Sequence, residues 1–169
     1  MPTHTVNHLG TLVLCASIGL SGITGCAISE PDEKIERVQE VPTAEFECLR
    51  EAIYFEAGGI GAGGGRAVAD VILNRKADPR FPNSICGVVK EGEGKGRGCQ
   101  FSYRCDNRSE NFAEPLKLRL ATKAAQDALQ RKSDSTNGAL YFHSARIAPG
   151  WFATLERTGA FGGNIFYRP

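Results

Sequence analysis

No Lys, Arg, Asp or Glu occurs before Glu30, so every formal side-chain charge lies from that residue onward. Only this later part can surround a core with a solvated, charged surface. The 169-residue chain is left with the length of one ordinary domain, about 100–150 residues, and two large domains are excluded. Its 20 Lys and Arg balance 19 Asp and Glu, which argues against a nucleic-acid partner drawn by bulk charge and against acidic disorder. With 41% hydrophobic residues, 20 Gly and 8 Pro, the composition fits a globular domain rich in loops.

The uncharged stretch has the character of a targeting segment. Leu9 to Ile28 is apolar to small but broken by Gly19, Gly22 and Gly25, which weakens it as a permanent membrane helix. It ends in Ile23-Thr24-Gly25-Cys26, which resembles the bacterial lipobox, where the cysteine is lipidated and becomes the first residue after cleavage. The expectation is a lipoprotein-type signal over residues 1–25, a lipid anchor on Cys26, a tether over 26–44 and one domain over 45–169. A plain secretory signal or an uncleaved anchor is the alternative, and all three export the domain to the bacterial cell envelope. Ala27 after the cysteine favours the outer membrane if the host is Gram-negative. Glu30 to Pro42 is polar and proline-bounded, as a tether requires.

Setting aside Cys15 and Cys26 leaves Cys48, Cys86, Cys99 and Cys105. Four cysteines in an exported domain suit two disulfides, with free buried thiols the alternative, and the sequence does not choose among the three pairings. No CxxC pair is present, which argues against zinc.

Glu45 to Ala57 keeps a helical period with Phe46, Leu49, Ala52 and Ile53 on one arc and Glu47, Arg50, Glu51 and Tyr54 opposite. Gly58-Gly59 predicts its end, Ile60 to Gly65 a flexible connection, and Arg66 to Lys76 a second helix facing inward through Ala67, Val68, Val71 and Ile72. Ser84 predicts the cap of a short helix to Val89, followed by a Gly-rich loop to Gly98 and a hairpin-like Cys99 to Cys105. Pro115 predicts the start of a third long helix to about Arg131, with Leu116, Leu120, Ala124 and Ala128 buried. Extended pieces at 139–144 and 164–168 complete an α+β pattern, helices first and a small sheet late.

Glu56 is the anomaly in this pattern, because at 100° per residue it falls within the apolar arc of Leu49, Ala52 and Ile53. Burial and the negative end of the helix dipole both disfavour its charged form, leaving an acid able to protonate a glycosidic oxygen near neutral pH. The alternative is a buried ion pair with Arg75. His143 is the only histidine after the targeting segment, which leaves neither HExxH nor HxxxH and no metal centre to expect. A lone His on an extended segment also suits a hydrogen-bonded core position. Phe101, Tyr103, Tyr141, Trp151 and Tyr167 could stack on sugar rings, with core packing the default.

At these residues the chain resembles the SleB/CwlJ family of bacterial cell-wall hydrolases. Ala52 to Ala57 and Ala67 to Arg75 match two of its motifs, and 81–89, 99–102, Cys105-Asp106, 139–143 and 165–168 follow in order. The resemblance implies a lysozyme-like α+β fold, peptidoglycan as substrate, no cofactor and a single acid/base glutamate at Glu56. It implies a monomeric lytic transglycosylase that cleaves the bond between N-acetylmuramic acid and N-acetylglucosamine with closure of a 1,6-anhydro ring. Tyr54, Asn74, Gln100, Ser102, Tyr141, His143 and Tyr167 are the expected substrate-binding residues. The chain departs from the family at Ile60, where a second glutamate is usual, at Gly64-Gly65, and at Asn164, where His is frequent. These departures keep open a silent glycan-binding protein, and the family label keeps open a cell-wall amidase.

Overall fold

A computed structural model describes residues 43–57, 61–95, 98–130, 133–147 and 150–169. The expected signal segment and Cys26 lie outside the described residues, and so does the tether up to residue 42. The helices are α1 (Thr43–Glu56), α2 (Gly61–Ala77), α3 (Ile85–Val89) and α4 (Pro115–Gln130). Three strands follow, β1 (Tyr141–Ser144), β2 (Glu156–Phe161) and β3 (Asn164–Arg168), with 3-10 turns at Ser102–Cys105 and Gly150–Thr154. Helices first and an antiparallel sheet last is the α+β arrangement expected. Among the described residues no helix is long and apolar enough to cross a membrane.

Helix α1 buries Leu49, Ala52 and Ile53 as its period requires, but Tyr54, expected on the outer face, is buried as well. The segment ahead of α4 covers that side. Phe112 meets the Tyr54 ring edge-on at 5.0 Å, and the Tyr54 hydroxyl accepts a hydrogen bond from the Glu114 amide at 3.1 Å. Helix α1 therefore packs on two sides.

Helix α2 begins at Gly61, so most of the expected flexible connection is helical. A Cβ built on Gly65 would stand 3.1 Å from Ile53 Cγ2 and 3.2 Å from Ala124 Cβ. Glycine costs about 1 kcal/mol in a helix relative to alanine. Here it lets α1, α2 and α4 meet closely, and the packing gained offsets that cost.

The same closeness reorients α4. It packs through Ala121, Ala124, Ala125 and Ala128, while Leu116 and Leu120, expected inside, are 62% and 39% exposed. Small side chains fit where three helix axes converge, and leucines do not.

Ser84 caps α3 as predicted, its Oγ accepting from the Gly87 amide at 2.9 Å. The Glu45 carboxylate accepts from the Ile85 and Cys86 amides at 2.6 and 3.3 Å, and a Cys48–Cys86 disulfide ties α1 to α3. The second disulfide is Cys99–Cys105. The segment it closes is a 3-10 turn rather than the expected hairpin, because Phe101 and Tyr103 both turn into the core instead of facing a partner strand.

The sheet order is β1-β3-β2, all antiparallel, with His143 opposite Ile165 and Tyr141 opposite Tyr167. Strand β2 was not anticipated, since Glu156 to Phe161 carries one large apolar residue and a register irregularity between Arg157 and Gly159. Gly162 and Gly163, at φ 53° and 74°, close the β2–β3 hairpin in the left-handed conformation that two-residue hairpin loops require.

Candidate active site

The helices and the sheet meet at a cleft of about 580 Å³, and each wall comes from a different element. Helix α1 ends on Glu56, α2 contributes Arg75, and the segment closed by Cys99–Cys105 contributes Cys99, Gln100 and Ser102. Strand β1 supplies Phe142, His143 and Ser144, β3 supplies Asn164, and Ile147 and Trp151 come from the connection to β2.

Glu56 makes no ion pair and accepts no hydrogen bond among the described residues. Burial raises its carboxyl above the usual range, and the Arg75 charge acts in the opposite direction without overturning it.

Arg75 is 3% exposed, and its cation is engaged elsewhere. Nε donates to the Leu140 carbonyl at 2.7 Å. With the Gln100 amide turned to present its oxygen, that oxygen accepts from Nη1 and Nη2 at 3.0 and 2.7 Å. The guanidinium lies over Phe81, Phe101 and Tyr141 at 5.4, 5.6 and 5.9 Å. Burial pulls its pKa down to about 10, opposed by the charges of Glu91, Tyr141 and Glu56. The Glu56–Arg75 ion pair open to the sequence is not formed.

His143 has both ring nitrogens occupied. Nδ1 faces the Ser144 carbonyl at 2.8 Å and so carries a hydrogen, while Nε2 lies 3.1 Å from the Tyr167 hydroxyl. The Phe152 and Tyr167 rings lie against it at 4.7 and 5.4 Å and against each other at 5.2 Å.

Of the expected site residues, the structure brings Glu56, Gln100, Ser102 and His143 together at the cleft. The other four do not line it. Tyr54 is a core residue. Asn74 Nδ2 donates to Asp134 Oδ2 and the Ala139 carbonyl at 3.0 and 3.1 Å, holding the loop that leads to β1. Tyr141 lies against the Arg75 cation, and Tyr167 supports His143. Two further cleft residues bear on sugar binding: Trp151, which the sequence left open between stacking on sugars and packing in the core, and Asn164, noted there only as a departure from the family. Trp151, the sole tryptophan, is 49% exposed at the cleft edge, and Asn164 is 7% exposed with no partner for its side-chain amide among the described residues.

The sequence model of the Cell Wall Hydrolase family matches residues 60–167. The chain belongs to this family.

Among curated relatives, the chain is 27% identical over 141 residues to the spore cortex-lytic enzyme of Halalkalibacterium halodurans, spanning 81% of this chain and 40% of the relative. It is 28% identical over 122 residues to the spore cortex-lytic enzyme of Bacillus subtilis, spanning 72% of this chain and 37% of the relative. The chain thus spans about two fifths of the length of these relatives. Among solved structures it is similar to the catalytic domain of the Bacillus cereus SleB protein, with a TM-score of 0.60 at 28% identity over 77% of this chain and 94% of that one. The catalytic domain of the germination-specific lytic transglycosylase SleB from Bacillus anthracis gives a TM-score of 0.62 at 28% identity, over 77% and 98% of the two chains. The lysozyme-like fold that the family resemblance implied is the fold of this chain.

Proposed function

We propose that this cell wall hydrolase is a lytic transglycosylase of peptidoglycan in which Glu56 is the single acid and base. The observation that carries the proposal is a carboxyl on the cleft wall with no ion pair and no hydrogen bond among the described residues, whose charged form burial disfavours. The name of the Bacillus anthracis neighbour supports the same reaction.

Glu56 first gives its proton to the oxygen joining N-acetylmuramic acid to N-acetylglucosamine, and the bond from that oxygen to C1 of muramic acid breaks. The leaving sugar departs with a free hydroxyl. The Glu56 carboxylate then takes the proton of the muramic-acid C6 hydroxyl as its oxygen bonds to C1. The product is a 1,6-anhydro sugar, Glu56 is protonated again, and no water is consumed.

Gln100, Ser102 and Asn164 present amides and a hydroxyl for sugar polar groups, and Trp151 offers an aromatic face at the rim. His143, with both nitrogens occupied, serves as a rigid wall more than as a donor.

The test is digestion of purified sacculi with the wild-type protein and Glu56→Gln, read by mass spectrometry. Anhydro-muropeptides from the wild type and a fall of about 10²–10⁴-fold in the variant are expected. Equal release by both, or cleavage of peptide rather than glycan bonds, would refute the proposal.

A further inference from the structure

We propose that Arg75 is a positioning residue for Glu56: Gln100 and the Leu140 carbonyl hold its guanidinium back from the free acid, while its charge supports the carboxylate formed once the proton has moved to the glycan. The inference rests on the acid/base reading of Glu56 and adds to it the means by which one carboxyl performs both half-reactions.

A single acid/base residue faces opposing demands. It must hold a proton before bond cleavage, which an ion pair with an arginine would prevent. After cleavage it must exist as a carboxylate in a partly buried cleft, which burial alone makes costly. A cation placed nearby but kept out of contact meets both demands. Arg75 has that placement. It lines the same cleft as Glu56, its field acts on Glu56, and no ion pair joins them.

What restrains the guanidinium is also visible. Nε is fixed by the Leu140 carbonyl and both Nη atoms by the Gln100 oxygen, so the planar fork is committed away from Glu56. Phe81, Phe101 and Tyr141 surround the cation with ring faces. Gln100 is itself held by its backbone amide, which donates to the Glu91 carbonyl at 3.0 Å, and by the neighbouring Cys99–Cys105 bond.

The titratable groups around Glu56 are Arg75 from α2, Tyr103 from the 3-10 turn and His143 from β1. The Tyr103 hydroxyl is tied to Glu51 at 3.2 Å and is raised by burial. Glu91 and Tyr141 are the further groups whose charge acts on Arg75. None of the others places a permanent cation against Glu56.

The experiment follows the Glu56 carboxyl carbon by NMR titration in the full chain, assigned by its loss in Glu56→Gln, in the wild type, Arg75→Met and Gln100→Leu. Removing the cation is expected to raise the Glu56 midpoint by about one pH unit, because an opposite charge nearby lowers a carboxyl by that order or more. Gln100→Leu frees the guanidinium to reach Glu56 and is expected to lower the midpoint. In sacculus digestion both variants lose kcat more than KM, and the alkaline limb of the rate profile moves with each midpoint.

Unmoved midpoints, or a shift of the same sign in both variants, would overturn the proposal. Should Arg75→Met fail to fold, the midpoint of Gln100→Leu decides alone, since Gln100 is an exposed residue whose side chain bonds only Arg75 among the described residues. Midpoints that move as stated while the wild type releases no anhydro-muropeptides would refute the proposed reaction and leave the role of Arg75 intact. Loss of release in Glu56→Gln with fixed midpoints would do the reverse.

Discussion

Gly65 of α2 faces Ile53 of α1 so closely that a methyl group on the glycine would stand 3.1 Å from Ile53 Cγ2. Ile53 lies one turn before Glu56, so this contact sets where the acid leaves the helix. The position must stay bare for packing reasons, although Gly65 has ordinary helical geometry.

Gly65→Ala is therefore expected to destabilise the domain. Overpacking costs about 1–3 kcal/mol and outweighs the better helix propensity of alanine. Gly63, two residues earlier in α2, meets nothing within 4 Å, and Gly63→Ala is expected to stabilise by about 0.4–1 kcal/mol. Chemical denaturation of both variants checks the pair, and an equal response at the two positions would contradict the helix contact.

The buried acid should weaken the fold as pH rises. A carboxyl whose folded pKa lies above its unfolded value binds its proton more tightly when folded, so its contribution is fully present below the ordinary glutamate range, about 4.3, and is lost as pH climbs through the raised value. Glu56→Gln removes this dependence. The variant is expected to be more stable than the wild type at pH 7–8, with the advantage shrinking toward pH 4. Melting curves across that range check the sign, and an advantage independent of pH would be inconsistent with a buried carboxyl.

The two disulfides should differ in what they support. Cys48–Cys86 spans 38 residues and Cys99–Cys105 spans 6, so by chain entropy they contribute about 4 and 2 kcal/mol respectively. Cys48→Ala with Cys86→Ala is expected to lower stability more. Cys99→Ala with Cys105→Ala is expected to lower activity more at a temperature where both variants are folded, because that bond holds Gln100 and Ser102 against the cleft. Urea midpoints and sacculus digestion separate the two effects.

For the N-terminal segment, lipidation of Cys26 is proposed from the lipobox-like Ile23-Thr24-Gly25-Cys26. Cys26→Ala in a bacterial expression host is expected to move the protein from the membrane fraction to the soluble envelope fraction. An unchanged distribution would remove the lipid anchor from the proposal.

Much of this molecule follows from local pattern. The 3.6-residue period located α1, α2 and α4 to within a few residues, except where glycines hid the first turns of α2. It also marked Glu56 as a carboxylate on an apolar arc, because side-chain direction along a helix depends on spacing alone. Ser84, Pro115 and the late extended segments were legible for the same reason: caps, fixed φ and alternation are properties of neighbours in sequence.

Contacts between distant segments were decided only by tertiary structure. Which cysteines pair, that Tyr54 is covered by Phe112, that α4 turns its alanines rather than its leucines inward, and that Arg75 bonds Gln100 instead of Glu56 all depend on how separate elements fit together. An isolated helix carries no record of the shape it will meet, and close packing lets small residues win wherever axes converge. Helical spacing thus put a carboxylate on an apolar arc, and the fold determined that Arg75 would bond Leu140 and Gln100 rather than this acid.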